Sequence, residues 1–207
     1  MELMTVEFTL DEIADSLPHL GVVILHLLHA GGNSAVRGDV LFQKELFLIG
    51  DYIERIGDDA DFIPHIFGPY SESAEVALDE LVSLGLVRRS EGGYTLTPDG
   101  VSVWERVCSV FPTQESVAIE DFKAFLNDLS VDEVLLFVYV TYPEYTCESA
   151  RLRDILKKRV PLSASLYRKG KVSLEKAAFL AGMNMESYLD CHEQSPGLCK
   201  GISCLLR

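Results

Sequence analysis

Apolar positions recur mostly at helical spacing along this chain. Thr9-Leu-Asp-Glu12 has the form of a capping box and opens a short helix. Pro18 opens a strongly apolar helix that Gly31-Gly32 ends. Val40, Leu41, Leu46, Phe47, Ile49, Ile53 and Ile56 keep close to the 3.6-residue period, which predicts one helix over 39–56 and then a turn at 57–61. Residues 62–67 read as extended, because Pro64 disfavours helix. Gly68-Pro-Tyr-Ser71 is a turn; Ser71 or Ser73 caps the next helix, which runs to Leu84 with Gly85 as its stop. Two short β-prone runs then flank Glu91-Gly-Gly, a hairpin signal, and Pro98-Asp-Gly100 leads into a helix near 101–111. The order of elements predicts a mainly α protein that begins with a winged helix-turn-helix, the hairpin being its wing.

Pro112-Thr113 marks a break. Helices are expected over 116–129 and 131–140, the second opened by the box Ser130-Val-Asp-Glu133. A helix over 148–159 is expected to stop before Pro161, and a short one to reach Arg168. Ser173 then caps an apolar run to Ala181, Gly182 supplies a turn, and Met183-Asn-Met-Glu opens another helix. A small residue, Ala178, lies four positions before the glycine, the arrangement a tight helix-turn-helix needs. The pattern divides the chain into 1–112, a connector at 113–147, and a basic helical region at 148–207.

Charge changes this picture. The 207 residues carry a formal net charge of -14, but unevenly: residues 1–150 hold 7 Lys+Arg against 27 Asp+Glu, and residues 151–176 hold 9 against 2. A local basic patch can dock on phosphates although the whole chain is acidic. Lys157, Lys158, Arg159, Arg168, Lys169, Lys171 and Lys176 are the candidate phosphate contacts, and Asn184 the one residue of the last helix suited to a base edge. That helix also brings Glu186 and Asp190, which argue against base readout. In the first domain the corresponding helix holds Glu72, Glu75, Asp79 and Glu80, which repel phosphates, and Arg88 and Arg89 on the wing read as a solvated face. This domain is expected to bind a protein or its own copy.

The remaining chemistry is sparse. An apolar fraction of 48% supports a packed core, and no apolar run approaches the ~20 residues of a membrane span. Five irregularly spaced cysteines and an acidic N-terminus fit reduced thiols in a cytoplasm. His26 with His29, and Cys191, His192, Cys199 and Cys204, are the two groupings that raise a metal site, and the core-edge and non-zinc readings outweigh it. Asp58, Asp59 and Asp61 read as a solvated loop, Tyr70 as a loop anchor in the core, and Trp104 as core behind the wing. No catalytic constellation, cofactor or metal is expected.

Two stretches carry resemblances. LFQKELFLIGDYI, FIPHIFGPYSESAEVALDELVSLGLV and GYTLTPDG, between Leu41 and Gly100, are similar to a widespread group of prokaryotic winged-helix-like proteins, some of which resemble the antitoxin-associated SocA-like (Panacea) domain. YRKGKVSLEKAAFLAG, from Tyr167 to Gly182, resembles a family of small prokaryotic proteins regarded as antitoxins or transcription regulators. The resemblances imply a regulator with a helix-turn-helix, a dimer and a protein partner such as a toxin or another effector. Two readings stay open. In one, the basic C-terminal part binds DNA while the acidic part binds protein. In the other, the basic segment pairs with acidic groups of this chain or its copy, and the protein is an interaction module without a nucleic-acid role.

Overall fold

The computed structural model describes residues 9–193. Among them are twelve α-helices and one two-stranded antiparallel sheet, so the fold is mainly helical. They form two compact units, one of residues up to Ile63 with Pro69–Asn127, the other of Pro64–Gly68 with the chain from Asp128 on. The units part after Asn127, whereas the sequence pattern places its sections at 112 and 147.

In the first unit, α1 (Leu10–Ser16) carries both bonds of the Thr9–Glu12 capping box. The centre is α2 (His19–Asn33), where Val23, Ile24, Leu25, Leu27 and Leu28 are wholly enclosed. Its helical geometry ends at Ala30, and Gly31 and Gly32 take φ of +64° and +67°, as a glycine stop requires.

The single helix expected over 39–56 is two. α3 (Gly38–Tyr52) stops, Ile53 turns extended at φ -113° and ψ 92°, and α4 (Glu54–Ala60) begins at once and runs on through most of the predicted turn. The cause is a close crossing. Gly50 and Gly57 face each other backbone to backbone, and a Cβ on Gly57 would stand 2.7 Å from the Gly50 carbonyl oxygen. The apolar period runs on through Ile53 and Ile56 because both are buried on either side of the corner.

The Gly-Pro-Tyr-Ser turn is fastened to α3 by side chains. The Gln43 amide donates to the Ser71 carbonyl at 3.0 Å and accepts from the Ser71 N–H at 2.9 Å, which copies one rung of a β-ladder. The Lys44 ammonium, 1% exposed, donates to the Pro69 carbonyl at 2.6 Å. Ile63 and Tyr70 exchange two backbone bonds across the loop. Ser71 donates to the Ala60 carbonyl and accepts from the Ala74 N–H, capping α5 (Glu72–Ser83). Tyr70 is not the core anchor expected of it: it is half-buried and its hydroxyl donates to Glu75 on the surface of α5.

Val87–Ser90 (β1) pairs with Gly93–Leu96 (β2), Val87 opposite Leu96. Buried Tyr94 bridges the backbone of Val36 and donates its hydroxyl to Asp39. Thr97 caps α6 (Pro98–Val107). The helix after Pro112, α7 (Thr113–Asn127), packs on α2 and α3 and belongs to this unit. Its Lys123, fully buried, donates to the Leu27 carbonyl at 3.0 Å. Burial lowers the Lys123 pKa and raises that of buried Glu45, while each charge opposes the other's shift. Trp104 is only partly buried: it stacks on His29 and donates its indole N–H to His26 Nδ1 at 3.2 Å.

The second unit begins with α8 (Val131–Thr141), opened by the Ser130–Glu133 capping box. The helix expected over 148–159 is reduced to α9 (Leu152–Lys157), and α10 (Arg159–Arg168) runs through Pro161. Proline is tolerated there because it occupies the first turn, where a missing N–H breaks no helical bond. α11 (Leu174–Ala181) and α12 (Met185–Glu193) follow. Leu135, Leu136, Ile155 and Leu166 are fully enclosed, and Tyr188 closes a smaller cluster with Ala177, Ala178 and Ala181. No single helix among the described residues is long and apolar enough to cross a membrane.

Two predictions follow from the turn lock. Gln43→Leu leaves both backbone groups of Ser71 without their partner in a buried place and should cost ~3 kcal/mol in urea unfolding. Burial pushes the Lys44 pKa down to about 7 from 10.5, so between those values the folded chain binds fewer protons than the unfolded one. Stability attributable to this group rises with pH across that window. Lys44→Met should therefore be most favoured relative to wild type below pH 7 and lose that advantage toward pH 10.5, as followed by unfolding at several pH values.

Candidate nucleic-acid interface

The candidate phosphate contacts lie on α9, α10, α11 and the links between them, and two of them, Lys158 and Lys169, are held by carboxylates in the first turn of α8. Asp132 and Glu133 occupy the first turn of α8, where carboxylates are favoured by the helix dipole. Glu133 also reaches back to the Ser130 N–H at 2.6 Å. Gly170, at φ +67°, ends α10 and turns the chain so that the lysines on either side of it point back at the start of α8.

Lys169 donates to Glu133 Oε2 at 2.8 Å and to the Asp128 carbonyl at 2.7 Å. Lys171 lies 3.1 Å from the Asp128 carboxylate, with its side chain 16% exposed. Lys158 and Arg151 share Asp132, at 2.9 and 2.8 Å. Lys157 faces Asp154 at 3.3 Å on the open surface of α9. Lys176 donates to Thr141 Oγ1 at 3.0 Å and stands over the rings of Phe137 and Phe179. Arg168 Nε donates to the Ala164 carbonyl within its own helix.

Arg159 and Asn184 serve the helix corner itself. Gly182, at φ +70°, is the left-handed cap of α11, and the Arg159 guanidinium lies against it where any side chain would stand. Arg159 Nε donates to the Leu180 carbonyl at 2.8 Å, filling an acceptor that the end of α11 leaves open. Asn184 Oδ1 accepts from the Ser187 N–H at 2.8 Å and so caps α12. The amide assigned from sequence to a base edge is thus engaged at the root of its helix. The exposed positions of α12 include Glu186 and Asp190.

The carboxylates that meet these cations are what the sequence pattern did not single out. Their signal was present in the box Ser130-Val-Asp-Glu133, which reads as a helix start and says nothing of distant partners. Residues 128–193 hold nine Lys+Arg and ten Asp+Glu, so the basic run lies in a nearly neutral unit. Burial raises the Glu133 carboxyl, but the hydrogen bonds from Lys169, Ser165 and Ser130 together outweigh it and bring it down to about 2. Only Glu133 among these partners is deeply buried, at 4% side-chain exposure. The Lys157–Asp154 pair is exposed and contributes little.

In the first unit, Glu72, Glu75, Asp79 and Glu80 are all exposed along α5. On the hairpin, Arg89 meets Asp79 at 3.2 Å and donates to the Tyr94 hydroxyl. His26 and His29 both engage Trp104: His29 stacks on its ring, and His26 Nδ1 accepts its indole N–H. Burial is the main cause that lowers both their pKa values. No group of three or more His, Cys, Asp or Glu among the described residues could hold a metal ion, and Cys199 and Cys204 lie outside those residues.

Glu133→Gln should remove stability of up to ~3 kcal/mol at neutral pH. The carboxyl titrates lower in the folded state than its usual 4.5, so its contribution is full above that pH and lost as pH falls toward 2. Unfolding curves of wild type and variant should therefore converge between those two values.

Comparison with protein-family models, with curated proteins and with solved structures finds no match to this chain.

Proposed function

We propose that this is a regulatory protein of the antitoxin-like kind that acts by contact with a protein partner through its acidic first unit, without docking on nucleic acid. The observation that carries the reading is the use of the basic segment inside its own unit. Lys169 holds buried Glu133, Lys171 and Lys158 hold Asp128 and Asp132, and Arg159 and Asn184 cap the two helices of the corner. Removing Lys169 from Glu133 to reach a phosphate would leave a buried carboxylate with its main cation gone, and that loss offsets the gain from the new contact.

The order α2, α3, α5, β1, β2, α6 is that of a winged helix-turn-helix, and we assign that fold to the first unit. The Gln43–Ser71 lock supports the resemblance to the SocA-like group, since it joins the Gly-Pro-Tyr-Ser turn to the segment that starts at Leu41. In this reading the acidic surface covers a basic patch of a toxin or effector, where charge complementarity speeds association. No catalytic step is assigned.

One observation favours the other reading. The α11–Gly182–α12 corner has the left-handed glycine and close helix contact of a DNA-reading motif, and Arg153 and Lys157 on α9 are exposed. Fluorescence anisotropy with random-sequence duplex DNA separates the two. The proposal expects no micromolar binding even at low salt. Micromolar binding that collapses at moderate salt would overturn it and establish phosphate docking.

A further inference from the structure

Along the outer side of α5 runs an open apolar groove inside the first unit. Two adjoining recesses of about 520 and 430 Å³ share Pro18, Val76 and Glu80 and together follow the helix from Glu72 to Leu84. The opposite wall is the corner between α1 and α2, at Leu17 and Pro18. Val76 on α5 is 52% exposed and Leu84, which caps it, is 41% exposed, on a helix whose other exposed positions include Glu72, Glu75, Asp79 and Glu80. About 12 residues of helix at 1.5 Å each give the groove a length of roughly 18 Å, the span of a three-turn helix.

We propose that this groove receives a basic amphipathic helix of a partner protein, with apolar residues on Val76 and Leu84 and lysines or arginines against Glu72 and Glu80. The inference rests on the reading of the first unit as a protein-binding unit. Charge complementarity selects the occupant. The first unit has 7 Lys+Arg and 22 Asp+Glu over residues 1–127. Asp79 already meets Arg89, but no Lys or Arg among the described residues pairs with Glu72 or Glu80. A second copy of this unit would bring a like charge to the same face, which disfavours self-association there. An apolar floor with an acidic rim matches the helix-in-groove mode, read by anchors at i, i+3 and i+4.

The test uses the full chain and a fluorescein-labelled peptide of about fourteen residues, leucine and lysine at amphipathic helical spacing, in anisotropy titrations. A lysine peptide of equal charge without leucine is the control. The discriminating variant is Val76→Glu, which adds negative charge while taking away the apolar floor. The groove predicts that it weakens the leucine–lysine peptide by roughly tenfold, the worth of one buried aliphatic anchor. Glu72→Gln with Glu80→Gln should weaken binding several-fold, and Glu54→Gln with Asp58→Gln, on α4, should leave it unchanged. Tighter or unaltered binding to Val76→Glu would overturn the groove, because an acidic surface without a docking site gives that result. Equal affinity for the leucine-free peptide, or no binding to wild type at low salt, would also overturn it. None of these outcomes bears on nucleic-acid binding, so the reading of the whole protein stands or falls separately by the duplex titration.

Discussion

Much of the first unit depends on one small polar lock in an apolar place. The loop between α4 and α5 has to pass over α3, and a loop that comes so close to a core leaves backbone groups without water. Gln43 resolves this by presenting a carbonyl and an amide at the spacing of a peptide unit, so that Ser71 is bonded as if to a neighbouring strand. Lys44 adds a charged donor to the carbonyl of Pro69, two residues back, at the cost of holding an amine where its proton is lost easily. Once Ser71 is fixed, its hydroxyl ties α4 to α5 by accepting from one and donating to the other. The direction of α5, and with it the groove beside α1 and α2, follows from that tie.

The second unit has its own constraint, which is charge. A run of nine cations in 26 residues would repel itself unless carboxylates were brought to it. The first turn of α8 supplies them. There Asp132 and Glu133 act twice, as favourable charges at a helix start and as partners for Arg151, Lys158 and Lys169. The buried member of this set, Glu133, is the one whose loss would be felt; the exposed pairs mainly shape the surface field.

What the sequence made legible was local. Both capping boxes, the Ser71 and Ser173 caps and the glycine stops at 85 and 182 form as read, because each depends on residues within a few positions. The break at Ile53 escaped notice because burial on both sides of the corner keeps the apolar period unbroken. Its true marker is the pair Gly50 and Gly57, seven residues apart and meaningful only once the two helices cross. Pro161 misled for a related reason: whether proline stops a helix depends on where the helix starts, and Lys158, a weak cap by sequence, gives no sign of a start. Of the candidate site, the identities of the cations were legible, but the partners of Lys158, Lys169 and Lys171, 26 to 43 residues away, were not.

Two helices of this protein, α5 and α12, present carboxylates where a nucleic-acid reader presents amides and cations. The coincidence has different consequences in the two units. On α12 the acidic residues lie in a unit whose charges nearly cancel, so they leave little field. On α5 they stand in a unit with three times as many acids as bases, beside exposed valine and leucine. Exposed apolar area and unmatched negative charge each carry a cost to an isolated protein, through hydration and self-repulsion. Both costs are relieved at once by a surface that is apolar and positive, and it is the meeting of the two on one helix face, rather than the total charge, that points α5 toward a protein partner.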